Sequence, residues 1–266
     1  MHKSGMLTAQ GAPGPIMKPM TIRSVVRSDR GLVRKTNEDA VAVLPDECLV
    51  VLADGMGGHS AGEVASRLAV AAITRLISRY PTTSAAAAIS FANHTIRTKI
   101  RNDILLEGMA TTAVVGRFHE GQIEYAHVGD SRLYLLRDSR LQQLTRDHSM
   151  IQELVDEGVY SSLEEARKEG VRNNLLTRGV GIVESLAVDS GCLTLCPGDL
   201  FLFCSDGLSN MLSDKTIERI LVKYSTDCEA AVDGLLGLAL KRGGYDNITL
   251  ALVEPGYGEQ AQGADV

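Results

Sequence analysis

The chain has no tryptophan, and aromatic residues of all kinds make up only 4% of its 266 residues. Ala, Val, Leu and Ile must therefore fill the interior. No apolar run approaches the ~18 residues of a membrane span, which argues against insertion by a helix. The first residues lack the continuous apolar stretch of a signal peptide. Basic charge is not in excess: 27 Lys and Arg against 33 Asp and Glu leave a formal net charge of −6. The overall electrostatic footprint of a nucleic-acid binder is thus missing. The five cysteines (Cys48, Cys192, Cys196, Cys204, Cys228) are an odd number. Cys192 and Cys196 suggest half a zinc site, but no second Cys or His pair follows at ligand spacing. Buried reduced thiols and a cytoplasmic location are the expectation. Walker A, Gly-x-Ser-x-Gly, His-Glu-x-x-His and Rossmann glycine patterns are all absent.

What is present is a set of carboxylates at the ends of apolar runs: Glu38-Asp39, Asp54, Asp130, Asp206 and Asp246. Two share nearly one frame. Val50-Val51-Leu52-Ala53 runs into Asp54-Gly55, and Phe201-Leu202-Phe203-Cys204-Ser205 runs into Asp206-Gly207. A buried strand ending on Asp-Gly delivers a carboxylate to the rim of a sheet, where glycine lets backbone or ligand approach closely. Carboxylates converging at such rims repel one another unless a cation lies between them. A divalent metal is the simplest occupant, so the pattern points to a metal-dependent enzyme.

At 44% hydrophobic and 23% charged residues the chain reads as a soluble globular protein. One domain over residues 21–254 is the economical division, with a flap at about 150–180. Residues 1–20, rich in Gly and Pro, read as a flexible leader, and residues 255–266 as a flexible tail. Strand-like runs occur at 22–27, 40–44 and 48–53. Two helices with apolar stripes follow, one from Ala65 to Tyr80 and one from about Ser84 to Leu105. Strands return at 111–118, 122–127, 132–137 and 141–144. The flap is charged and short-helical, with Ser161 and Glu164 as a capping-box signal. Strands at 186–195 and 199–204, helices at about 214–224 and 228–242, and a last strand at 248–253 complete the chain. Strands, then paired helices, then strands again argue for an α+β fold with antiparallel sheets covered by helix pairs.

Arg34-x-x-Asn37-Glu38-Asp39, Asp54-Gly55-Met56-Gly57-Gly58, Gly129-Asp130-Ser131-Arg132, Ser205-Asp206-Gly207 and Asp246-Asn247 occur in the order of the PP2C-type metal-dependent protein phosphatases. The chain resembles a compact bacterial member over about residues 23–253. Each motif alone is worthless as a signal; the ordered set at strand ends is specific. The resemblance implies a central β-sandwich of two antiparallel sheets, flanked on each face by a helix pair, with a channel at one end.

It also implies roles. Asp54 bridges two Mn2+ or Mg2+ ions, with Glu38 and the Gly55 carbonyl on one and Asp206 and Asp246 on the other. Asp130 with Asp206 matches a third, weaker ion site; the alternative for Asp130 is a carboxylate capping its own turn. Asp39 lies behind the ligands and orients a metal-bound water. Arg34 holds the substrate phosphate through two parallel N–H donors, against the alternative of a solvated arginine beside Arg30 and Lys35. Asn247 orients the Asp246 loop. A hydroxide held between the metals attacks phosphorus in line, without a phospho-enzyme. Many eukaryotic relatives carry histidine directly after the Asp-Gly pair, where this chain has Met56. His59 and a metal-bound water therefore stand as alternatives for the general acid. Asp147-His148-Ser149 is no hydrolase triad, because adjacent residues cannot line up as nucleophile, base and orienter. His127, within a strand, reads as a packed histidine.

The function so implied is hydrolysis of phosphoserine and phosphothreonine in a protein substrate, opposing a cognate Ser/Thr kinase in signalling. The protein is expected to act as a monomer, with no nucleic-acid partner. A regulatory module that binds a phosphoprotein without turnover is the rival, and such modules usually lose a metal carboxylate or the phosphate arginine. A metal phosphatase for small molecules or nucleotides stays open, because the metals read only the phosphate.

Overall fold

The structure is a computed structural model and describes residues 20–57, 61–171 and 175–257. In chain order the first half contains β1 (Met20–Asp29), β2 (Asp39–Leu44), β3 (Leu49–Met56), α1 (Ala61–Arg79), α2 (Ala85–Asn102), β4 (Ala110–Thr111), β5 (Ala113–His119) and β6 (Gln122–Val128). The second half contains β7 (Arg132–Arg137), β8 (Arg140–Gln143), α3 (Met150–Asp156), α4 (Leu163–Lys168), β9 (Asp189–Thr194) and β10 (Leu200–Cys204). It ends with α5 (Asp206–Ser209), α6 (Asp214–Lys223), α7 (Cys228–Lys241) and β11 (Ile248–Tyr257). One antiparallel sheet has the order β1-β11-β10-β7-β8, the other β2-β3-β5-β6-β9 with β4 added beside β3.

The long apolar runs are explained by burial on both faces of a strand. In β3, Leu49, Val51 and Ala53 pack under α1 and α2, while Val50 and Leu52 point into the space between the sheets. In β10, Leu200, Leu202 and Cys204 pack under α6 and α7, and Phe201 and Phe203 point inward. The result is the expected order of layers, helix pair, sheet, sheet, helix pair. Aromatics are few but concentrated: Phe118 meets Phe201 edge-on at 5.3 Å between the sheets.

Pairing register collects the carboxylates at one end. Asp39 pairs with Asp54 across β2 and β3, Asp29 with Ile248 across β1 and β11, and Arg132 with Cys204 across β7 and β10. Asp246 therefore precedes β11, Asp206 follows β10, and Asp130 lies between β6 and β7 on the same rim.

Several boundaries differ from expectation. β11 continues through Pro255 and Gly256 to Tyr257, which pairs with Met20, so the β1–β11 ladder extends past both 21 and 254. The second helix stops at Asn102, because Asp103 turns extended and its carboxylate accepts from Leu105 N–H, opening a separate 3-10 turn. The helix cap at α4 is Ser162, whose side chain accepts from Glu165 N–H, and Glu165 reaches back to Ser161 N–H, one residue on from the expected pair. Cys192 and Cys196 are exposed rather than buried, and all five cysteines are unpaired. The flap is anchored, not a loose connector: Ile151 and Ala166 are buried, Ser149 pairs with Leu176, and Val180 N–H donates to Thr111 O at 2.8 Å.

Candidate metal and phosphate site

Glu38, Asp54, Asp130, Asp206 and Asp246 line a single channel of about 230 Å³, together with Arg34 and Gly55. Backbone and side-chain bonds hold the segments that carry Asp54, Asp130, Glu38 and Asp246. Asp54 N–H donates to Thr112 Oγ1 at 2.9 Å, while Asp54 O accepts from Thr112 N–H and from Thr111 Oγ1, both at 2.8 Å. Thr112 Oγ1 also meets Ser131 Oγ at 2.7 Å, which links the Asp54 strand to the Asp130 turn. Glu38 N–H donates to Asn247 Oδ1 at 2.8 Å, and Asn247 Nδ2 donates to Arg30 O and Thr36 O at 2.9 Å each. Asn247 therefore ties the Glu38 loop to the Asp246 loop.

The two Asp-Gly frames need glycine for one reason. A Cβ on Gly55 would lie 2.1 Å from Gly62 O, and a Cβ on Gly207 would lie 1.9 Å from Asn247 O. Both positions allow one segment's backbone to touch another's, and both sit directly after a channel carboxylate.

Burial holds Asp54 and Asp130 well above the usual carboxylate range, and neighbouring charges add to it, Asp39 and Asp206 for Asp54 and Asp206 for Asp130. Asp206 is pushed up to about 6 by burial and by the charge of Asp246. Burial also raises Glu38, against the opposing pull of Arg34. Oδ1 of Asp206 is buried with no hydrogen-bond partner. Carboxylates packed this closely, with an oxygen left unsatisfied, fit a divalent cation. The donors facing the channel are oxygens, which suits Mg2+ or Mn2+ rather than zinc.

Asp39 does not line the channel. It is buried behind it, pushed up to about 7 by desolvation, and its Oδ2 accepts from Ser205 Oγ at 2.8 Å. Arg34 projects into the channel, where Nη2 donates to Asp246 Oδ2 at 2.6 Å. Met56 forms part of the wall and offers no proton. His59 lies outside the described residues. Asp147 accepts from Arg132, His148 Nδ1 accepts from Gly129 N–H, and the buried Ser149 Oγ has no hydrogen-bond partner among the described residues, in keeping with the rejection of a triad. Sequence reasoning missed Thr112, Ser205 and Leu176, the last a flap residue in the channel wall. Their signal is spatial: Thr112 acts on a residue 58 positions away.

Comparison with known proteins agrees with this geometry. A family profile described as Protein phosphatase 2C matches residues 33–234. The serine/threonine protein phosphatase PstP of Mycobacterium tuberculosis is 39% identical over 88% of this chain, which spans only 45% of that protein's length. The serine/threonine phosphatase stp of Listeria monocytogenes is 38% identical over 86% of this chain and 94% of its own. A crystal structure of the PstP catalytic domain, in complex with 2 manganese ions, superposes with a TM-score of 0.79 at 38% identity, covering 89% of this chain and 99% of that one. With profile, relatives, fold and ordered carboxylates in agreement, the chain belongs to the protein phosphatase 2C family.

Proposed function

We propose that this protein is a Mn2+- or Mg2+-dependent serine/threonine phosphoprotein phosphatase that cleaves phosphoserine and phosphothreonine monoesters. The observation that carries the reading is the meeting of Glu38, Asp54, Asp130, Asp206, Asp246 and Arg34 in one channel. In this reading Glu38, Asp54 and the Gly55 carbonyl would hold one ion, Asp54, Asp206 and Asp246 a second, and Asp130 with Asp206 a third, weaker one. Bound there, divalent cations supply Lewis acidity and a nucleophilic water at neutral pH. Asp39, which accepts from Ser205 Oγ, stands behind the ligands and would orient a water held among them. Arg34 presents N–H groups to the phosphate oxygens. The channel's Thr112 hydroxyl is already engaged by Asp54 N–H and Ser131, which supports direct attack by water without a phospho-enzyme. The leaving alkoxide takes its proton from water or from His59.

The substrate in this reading is a phosphorylated protein, and the reaction reverses a Ser/Thr kinase in signalling. The names of the relatives support that substrate class, as does the full set of acidic groups and Arg34, which a binding-only module usually loses. The protein acts as a monomer in the cytoplasm; no helix among the described residues is long and apolar enough to cross a membrane.

Purified protein with Mn2+ is expected to release phosphate from p-nitrophenyl phosphate and from a phosphothreonine peptide, and EDTA to abolish both. Asp206→Asn should remain folded, bind at least one ion fewer and lose more than about 100-fold in turnover, since even residues outside the ligand set cost that order. No release across metals and pH in wild type favours the binding-module reading.

A further inference from the structure

Behind Asp130 lies an arrangement that the proposed chemistry does not use. His148, 5% exposed, engages both backbone polar groups of Gly129. Gly129 N–H donates to the ring Nδ1 of His148 at 3.2 Å, and the backbone N–H of His148 donates to Gly129 O at 3.0 Å. An imidazole that accepts at Nδ1 carries its proton on Nε2. That atom faces two groups at 3.3 Å, Asp189 Oδ2, which can accept its proton, and Arg178 Nη1, which in this tautomer is only a neighbour; Arg178 Nη1 donates instead to Asp189 Oδ1 at 2.8 Å.

His127, His148 and Asp189 bring candidate ligand atoms within 4.8 Å of one another. A metal reading of this group fails on geometry. The two rings stack at 4.7 Å and 21°, so their lone pairs run side by side instead of converging on one point. Arg178 already places a positive charge against Asp189. The stack and the Asp189 bond instead fix the plane of the His148 ring, and with it the direction of Nδ1.

The same residue meets the flap. Thr177 N–H donates to His148 O at 3.0 Å, and the next residue, Ser149, pairs with the channel residue Leu176. One short segment thus grips the Asp130 turn on one side and the flap wall on the other.

We propose that His148 is a positioning residue for Asp130: by accepting from Gly129 N–H at Nδ1, beside the backbone bond that residue 148 makes to Gly129 O, its ring sets where the Asp130 carboxylate enters the channel. The proposal rests on the reading of Asp130 as a ligand of a divalent cation.

Three variants separate the two ring nitrogens. His148→Asn keeps an acceptor near the Nδ1 position, His148→Gln keeps a polar group near Nε2, and His148→Ala keeps neither. Without added metal, hydrogen exchange at the Gly129 amide should rise in the Ala and Gln variants and stay near wild type in Asn. With Mn2+, the concentration giving half-maximal turnover of p-nitrophenyl phosphate, and the weakest Mn2+ affinity by calorimetry, should shift by about tenfold in Ala and Gln. KM for p-nitrophenyl phosphate should not move, and Asn should recover most of the loss. Wild-type exchange and wild-type Mn2+ demand in the Ala variant overturn the proposal. So does a Gln variant that behaves like wild type while Asn fails. Should His148→Ala not fold, the Asn and Gln pair decides alone. Amide exchange needs no turnover, so failure of this inference is distinguishable from absence of phosphatase activity in wild type.

Discussion

Arg34 Nη2 donates to Asp246 Oδ2 at 2.6 Å, joining the guanidinium expected to hold phosphate to a carboxylate expected to hold metal. Their side chains are 54% and 35% exposed, so the pair contributes only about 0–1 kcal/mol to stability. Its importance is competition: a cation on Asp246 and the guanidinium draw on one oxygen. Arg34→Ala should therefore leave Mn2+ affinity equal or tighter while raising KM for a phosphopeptide about 10- to 100-fold, the worth of a charge-assisted hydrogen bond. Arg34→Lys should recover little, since an ammonium cannot present the planar fork. An unchanged KM in the Ala variant would remove Arg34 from the phosphate site.

Metal uptake should expel protons in a defined window. Asp206 sits at about 6 and Asp39 at about 7. Both exceed the usual carboxylate value of about 4. The stability they contribute is full below about pH 4 and is lost as pH rises through 6 to 7. His127 and His148 act in the opposite sense. Burial lowers both, so their contribution is lost as pH falls below about 6.5. Because carboxylates ligate in deprotonated form, Mn2+ binding near pH 6 should release protons from Asp206 and from Asp54 and Asp130, which burial also holds above the usual range. Calorimetry in two buffers of different ionisation enthalpy reads this directly; heats at about pH 6 that ignore the buffer contradict it.

A buried ion pair stands beside the channel. Arg132 Nη2 donates to Asp147 Oδ2 at 2.6 Å, with side chains only 7% and 9% exposed, and Gln143 Nε2 adds a bond to Asp147 Oδ1 at 2.9 Å. Asp147→Ala leaves the guanidinium, among the described residues, with only Tyr134 OH at 2.7 Å and the exposed Asp214 at 3.6 Å, and should cost about 3–5 kcal/mol in urea unfolding. Replacing both partners with apolar residues should cost less than the single change. Equal losses would show that the attraction, and not the stranded charge, sets the cost.

Two glycines predict opposite signs. Gly207→Ala drives a Cβ to 1.9 Å from Asn247 O and should destabilise by about 1–3 kcal/mol while displacing the Asp246 loop. Gly237→Ala, within α7 and with nothing inside 4 Å of its Cβ, should stabilise by about 0.5–1 kcal/mol. Paired urea melts check both, and the same sign in the two variants would refute the packing argument.

Much of this was legible because β3, β10 and β11 are buried on both faces and so appear as apolar runs, broken in β11 by Thr249, each flanked by an acidic residue. The ligands could be read from those ends. Other features could not. Helix α5 has four residues, too few to show a period. Pro255 and Gly256 read as breakers, yet past Val253 strand β11 has β1 as neighbour without β10, and an edge tolerates them. The grip of His148 on Gly129 spans 19 positions and joins a loop to a turn, a relation no local pattern encodes.

The β1–β11 ladder pairs Met20 with Tyr257 at one extremity and Asp29 with Ile248 at the other, beside Asp246. Its ten residue pairs, at about 3.3 Å of rise each, put roughly 30 Å between Met20–Tyr257 and the acidic mouth. Cargo tethered at that far pole needs at least about nine fully extended residues to reach over the mouth. Cargo joined at Met20 or Tyr257 through a shorter tether should accordingly leave access to phosphorylated proteins intact.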